Sequence, residues 1–149
     1  MKLLHGKIAS GAFHNAAERF DALKCHPQTR KVILKEIMNW IRDIHKLELF
    51  LWLYGPAGSG KSSIAQSIAE LCYAAEILDA SFFFSRTAAG RNNDRLFIPT
   101  LTYQLILSIP DMLQFVSEAL KRDPLVFGRS LEAQIDTLIL EPLSRLAGG

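Results

Sequence analysis

Residues Gly55 to Ser62 read "GPAGSGKS" and match the pattern GxxxxGK[ST]. A random chain of this length meets that pattern roughly once in 200. Each residue type has a chemical job. Glycines lack a Cβ, so the backbone can curl with its N–H groups turned inward. Those groups, with the positive end of a following helix, make a cradle for phosphate. The Lys61 ammonium is then placed for the β- and γ-phosphates, and the Ser62 hydroxyl for Mg²⁺. Gly58 also fits GxxGxGK[ST], a variant shared by small-molecule kinases and several signalling ATPases. The candidate nucleotide site is Gly55, Pro56, Ala57, Gly58, Ser59, Gly60, Lys61, Ser62 and Ser63, with Ser62 as the metal ligand. Its expected cofactors are ATP or GTP with Mg²⁺.

The elements around this loop must hold it in place. "LELFLWLYG" alternates Leu49, Leu51 and Leu53 with Phe50, Trp52 and Tyr54. Both faces are apolar, which suits a central strand covered by helices on either side. After the loop, Ile64, Ile68, Leu71 and Cys72 recur at helical spacing, predicting a helix over about 61–75. Upstream, Ile33, Ile37, Trp40, Ile41 and Ile44 predict a helix over about 29–44. Downstream, "ASFFFS" predicts a second strand over about 80–85. Helices are expected from Pro99, from Asp111 as an N-cap, and from Ser130 as an N-cap. Residues 1–26 show no clear period. The order helix, strand, helix, strand, three helices predicts an α/β fold. Its core would be a P-loop NTPase-like strand–helix–strand unit with flanking helices and an incomplete parallel sheet. The expected organisation is an irregular lead-in, 1–28, before a partial nucleotide-binding domain, 29–149.

Bulk properties set outer limits. The chain has 149 residues, 49% hydrophobic, with a net charge of +2. That length suits one domain, and that composition a packed globule. A charge of +2 is too small for a nucleic-acid partner. No run approaches the ~18 apolar residues of a membrane helix, so no membrane partner is expected. Cys25 and Cys72 show no metal-ligand spacing and are expected as reduced thiols of a soluble cytoplasmic protein.

A hydrolysing enzyme of this kind also needs an acidic residue at the end of a buried strand. Asp79 in "EILD" follows only two apolar residues. Glu141 follows "LIL", but at helical spacing, and Pro142 comes next. Neither supplies the pattern. Binding with weak or absent hydrolysis is therefore expected. Two other readings stay open. One is a protein-interaction fragment that pairs with related full-length proteins as a homo- or hetero-oligomer. The other is a small P-loop kinase.

Four stretches carry a family resemblance: "GAFHNAAERFDALKCHPQTR", "WLYGPAGSGKSSIAQSIAE", "ASFFFSRTAAGRNNDRLFIPTLTYQL" and "ILEPL". In that order, from about Gly11 to Leu143, the chain resembles the NACHT-type P-loop domains of fungal NLR-like signalling ATPases. These are also described as nephrocystin-3-like N-terminal domains. The resemblance implies a nucleotide-controlled switch that oligomerises, with Gly55, Gly58, Gly60, Lys61 and Ser62 in the nucleotide site. It also implies that Pro27, Thr29 and Arg30 approach the base. Arg86, Arg91 and Arg95 are further candidates for phosphate. "ERFDAL" departs from the double proline expected in that family. The resemblance covers the front half of such a domain, without its acidic strand, winged helix or repeats.

Overall fold

A computed structural model describes residues 2–17 and 30–148. They fall into two compact units, Met1–Ala16 with Asp79–Gly149, and Ala17–Leu78. Among the described residues every regular element is a helix or a helical turn. The expected α/β fold, with its strand–helix–strand core and parallel sheet, is thereby overturned.

The two apolar runs read as strands carry no regular structure and pair with no strand among the described residues. Their backbones show why. In the first, Leu49 to Tyr54 make no backbone hydrogen bond among the described residues. Phe50 and Trp52 stand 91% and 85% exposed. Alternation of apolar side chains identifies a strand only when a layer covers each face, and here neither face is covered. In the second, helix side chains and loop residues satisfy the backbone in place of a ladder. Ser81 N–H donates to Gln104 Oε1 at 3.0 Å, and Gln104 Nε2 donates to Ser81 O at 2.8 Å. Phe83 N–H donates to Ala12 O at 2.8 Å, and Ser85 N–H to Arg91 O at 2.8 Å. Phe82 and Phe84 both pack on Phe97, at centroid distances of 5.2 and 5.7 Å. Two strands alone make a marginal sheet in water.

In the larger unit, helix α1 (Lys2–His5) buries Leu4 completely, and Ser10–Ala12 form a 3₁₀ turn. The core is built on α4 (Phe97–Ser108) and α5 (Met112–Arg122), with Ile98, Ile106, Met112, Val116 and Leu120 meeting Leu4, Val126 and Leu138. Asp111 occupies the N-cap position of α5, but its side chain makes no capping bond. Ser130 does cap α6 (Leu131–Ile135), its Oγ accepting from Ala133 N–H at 3.2 Å.

Pro142 does not end that helix. A π turn, Asp136–Leu140, leads directly into α7 (Glu141–Gly148). Proline has no N–H and crowds the carbonyl four residues back, which normally breaks an α-helix. Here Glu141 N–H reaches five residues back to Asp136 O, the wider turn that accommodates the ring. Surface pairs tie α7 to α5. Arg122 grips both oxygens of Glu141 at 3.1 and 3.0 Å, and Arg145 meets Glu118 at 2.7 Å. Such exposed pairs contribute about 0–1 kcal/mol each, so the buried apolar contacts carry the unit.

In the smaller unit, α2 (Lys31–Arg42) packs on α3 (Lys61–Ala74) through Ile37, Met38, Ile64 and Cys72. Lys46 closes the end of α2, donating to Ile41 O and Asp43 O at 3.0 and 3.1 Å. Cys72 Sγ lies 3.8 Å from Met38 Sδ, and burial pushes its thiol above the usual range while Arg42 opposes the shift. Cys25 lies outside the described residues.

Two measurements check this architecture. Leu138→Ala, at a fully buried site, costs about 3 kcal/mol in chemical denaturation, whereas Leu140→Ala, on a half-exposed neighbour, costs under about 1 kcal/mol. Iodoacetamide modifies Cys72 more slowly in the folded chain than in the unfolded one. Its pH–rate profile in the folded chain lies above that of a free thiol, as followed by peptide mass spectrometry.

Candidate phosphate-binding loop

The loop Gly55–Gly60 joins the first apolar run to α3 and is built on two left-handed residues. Gly58 has φ +79° and Gly60 φ +91°, a region costing an L-residue about 1–2 kcal/mol. Ser59 N–H donates to Pro56 O at 3.2 Å, which closes the turn. A Cβ on Gly55 would meet Ser59 Oγ at 3.0 Å, so the chain passes close to itself there.

Lys61 folds back over this turn. Its Nζ donates to Gly55 O at 2.6 Å and Pro56 O at 2.7 Å, with Ser59 Oγ at 3.4 Å. The ammonium therefore sits within the ring of the loop, held by the loop's own carbonyls. Gly60 is the N-cap of α3 and no side chain caps that end. The first bond of the helix is Ile64 N–H to Gly60 O at 3.0 Å. Ahead of it, Lys61, Ser62 and Ser63 lead the first turn, where N–H groups point out of the helix end. Ser62 is exposed, while Ser59, Gly60, Lys61 and Ser63 are half-buried. Pro56, Ala57 and Gly58 form the exposed crest. All nine sequence-selected residues thus form one continuous turn and helix start. A set of donors, one cation and one exposed hydroxyl fits an Mg²⁺-bound phosphate chemically.

Arg30 joins them from a distance of 29 residues in the sequence. It precedes α2 in a left-handed conformation, φ 57°, and its Nη2 donates to Ser59 O. Its guanidinium also lies flat against Gly60, where a Cβ would meet Nη2 at 3.0 Å and Cζ at 3.1 Å. The resemblance assigns this residue to the base; in the structure its guanidinium lies beside the glycine-rich turn. Spacing alone carries no signal for such a contact. Pro27 and Thr29, its companions in that assignment, lie outside the described residues.

The other arginines divide. Arg91 is buried and donates from Nε to Phe83 O at 3.1 Å, so it supports the second apolar run. Arg86 is exposed, and Arg95 lines a cavity in the larger unit. Glu141 is a helical residue engaged with Arg122. No helix among the described residues is long and apolar enough to cross a membrane.

The contact of Arg30 with Gly60 separates two otherwise equal glycines. Gly58→Ala costs about 1 kcal/mol, from backbone strain alone. Gly60→Ala costs more, about 2–3 kcal/mol, because the added methyl meets the guanidinium, and Arg30→Ala in the same chain recovers part of it. Urea denaturation of the original chain, Gly60→Ala, Arg30→Ala and the double variant closes the cycle, with Gly58→Ala alongside.

The profile of the nephrocystin 3, N-terminal family matches residues 28–147, a span that includes α2, the loop and every later helix but the last residue of α7. Nothing among curated proteins and nothing among solved structures matches the chain. Since the match runs over well above half of its length, the chain belongs to the nephrocystin 3, N-terminal family.

Proposed function

We propose that the loop Gly55–Ser63 binds the phosphates of ATP or GTP with Mg²⁺, in the manner of the NACHT-type signalling NTPases that the sequence resembles. The observation that carries this reading is the position of Lys61. Its ammonium already lies in the ring of the loop, bonded to two backbone carbonyls. A nucleotide phosphate exchanges those neutral acceptors for charged oxygens, and hydrogen bonds between charged groups contribute about 1.5–3 kcal/mol each. The uncapped start of α3 adds N–H donors and the positive end of the helix dipole. Ser62, exposed in the first turn, offers its hydroxyl to the metal. Hydrolysis is weak or absent, because no hydrophobic run in the sequence ends in an acidic residue suited to a second metal contact.

The exposed run Leu49–Tyr54 favours a second reading, a protein-interaction role through pairing with related chains. An apolar segment whose backbone groups are free is a template for strand addition.

A fluorescent ATP analogue with Mg²⁺ binds the chain at micromolar concentration, about 8 kcal/mol of binding free energy. Lys61→Ala weakens that binding at least about a hundredfold, and Ser62→Ala removes its dependence on Mg²⁺. Equal binding by Lys61→Ala excludes the loop as the site.

A further inference from the structure

The larger unit contains two adjoining cavities of about 400 and 600 Å³ that share Lys7, Arg95, Phe127 and Arg129. Such volumes suit a small-molecule ligand. Gln134 lines the smaller one and is 4% exposed. Its Nε2 is committed to Arg129 O at 3.0 Å and Phe127 O at 3.4 Å. Its Oε1 is buried and accepts from nothing among the described residues. Buried acceptors are nearly always satisfied, so this orphan calls for a donor that reaches it by a small turn of the Gln134 side chain toward the cavity that the residue lines.

The charges around the cavity define the rest of the ligand. Arg129 is ion-paired with Asp123, the carboxyl of which it holds below the ordinary carboxylate range, so its charge is already answered. Lys7 and Arg95 make no side-chain hydrogen bond or ion pair among the described residues, and both are exposed at the rim. Asp94 adds a second acceptor on the same wall. Two unanswered cations call for an anionic group. Two acceptors, the Asp94 carboxylate and Gln134 Oε1, call for hydroxyl or amine donors. Phe127, Leu96 and Leu131 supply apolar surface between them.

We propose that this cavity is a binding site for a small phosphorylated polyol, such as a sugar phosphate. Lys7 and Arg95 hold the phosphate, and Asp94 and Gln134 accept from the hydroxyls. This site is independent of the nucleotide loop and draws every residue from the larger unit.

The test uses the intact chain carrying Lys61→Ala, which removes phosphate binding at the glycine-rich loop. Glucose 6-phosphate is titrated by calorimetry, with glucose and inorganic phosphate as separate probes. Glucose 6-phosphate binds in the millimolar range or tighter, and each half-probe binds at least about tenfold more weakly. Adding Lys7→Gln with Arg95→Gln, both exposed side chains with no folded partner to lose, weakens glucose 6-phosphate at least about tenfold. The proposal is overturned by no binding up to about 10 mM, by equal binding of inorganic phosphate, or by binding that survives the Lys7→Gln/Arg95→Gln pair.

Discussion

Gln104 and Ser81 exchange two hydrogen bonds, at 3.0 and 2.8 Å, and that pair anchors the second apolar run to α4 in the larger unit. An amide side chain presents one donor and one acceptor side by side, the same pairing a neighbouring strand offers. By closing it, α4 holds that run against its own flank without any sheet. The N-terminal segment then attaches through the same residues. His14 N–H donates to Ser81 Oγ at 3.0 Å, and Ala9 N–H to the buried Thr100 Oγ1 at 2.9 Å. Thr100 and Thr102 are fully buried on α4, and Thr102 returns its hydroxyl to Ile98 O at 2.8 Å. The apolar face of α5 can close over α4 because these polar groups are satisfied first.

The helices were legible because their signal is local. Ile33 to Ile41 and Ile64 to Cys72 repeat at helical spacing, and Lys31–Arg42 and Lys61–Ala74 fold accordingly. Ser130 caps as its side chain suggests. The strands were misread because a strand is defined by its neighbours. "FLWLY" and "SFFFS" carry apolar runs suited to a strand covered on both faces, but nothing in either stretch reports whether a ladder partner exists. The passage of the last helix through Pro142 was not legible for a related reason. Proline forbids one particular hydrogen bond, and the wider π turn avoids needing it. Leu4 is buried by distant elements and leaves no periodic trace in a four-residue helix.

The glycine-rich loop was the most legible feature, since glycine at positive φ and a following lysine are both local requirements. Gly58 and Gly60 adopt that conformation, and Lys61 folds onto the turn it follows. Arg30 was not legible in this role. Its contact spans 29 residues and depends on α2 packing against α3, which brings the start of one helix beside the start of the other. Both helix starts in the smaller unit are thus preceded by left-handed residues, Arg30 and Gly60, placed against each other. Membership of the nephrocystin 3, N-terminal family covers both helices and the loop between them.

The π turn at Asp136–Leu140 has an effect on phase. One extra residue in a turn sets back everything after it by about 100° around the helix axis. Leu143 and Leu146 pack against the same core cluster that holds Leu138, together with Leu131 and Ile135. In an unbroken α-helix those last two leucines would be carried toward the flank, away from α5. The turn therefore works as a spacer whose residue count matters more than its residue types. Substitutions at its exposed positions leave the helix face aligned, and loss of a single residue there, which closes the turn to an ordinary α-turn, keeps Leu143 and Leu146 in phase, whereas one added residue swings them off the core.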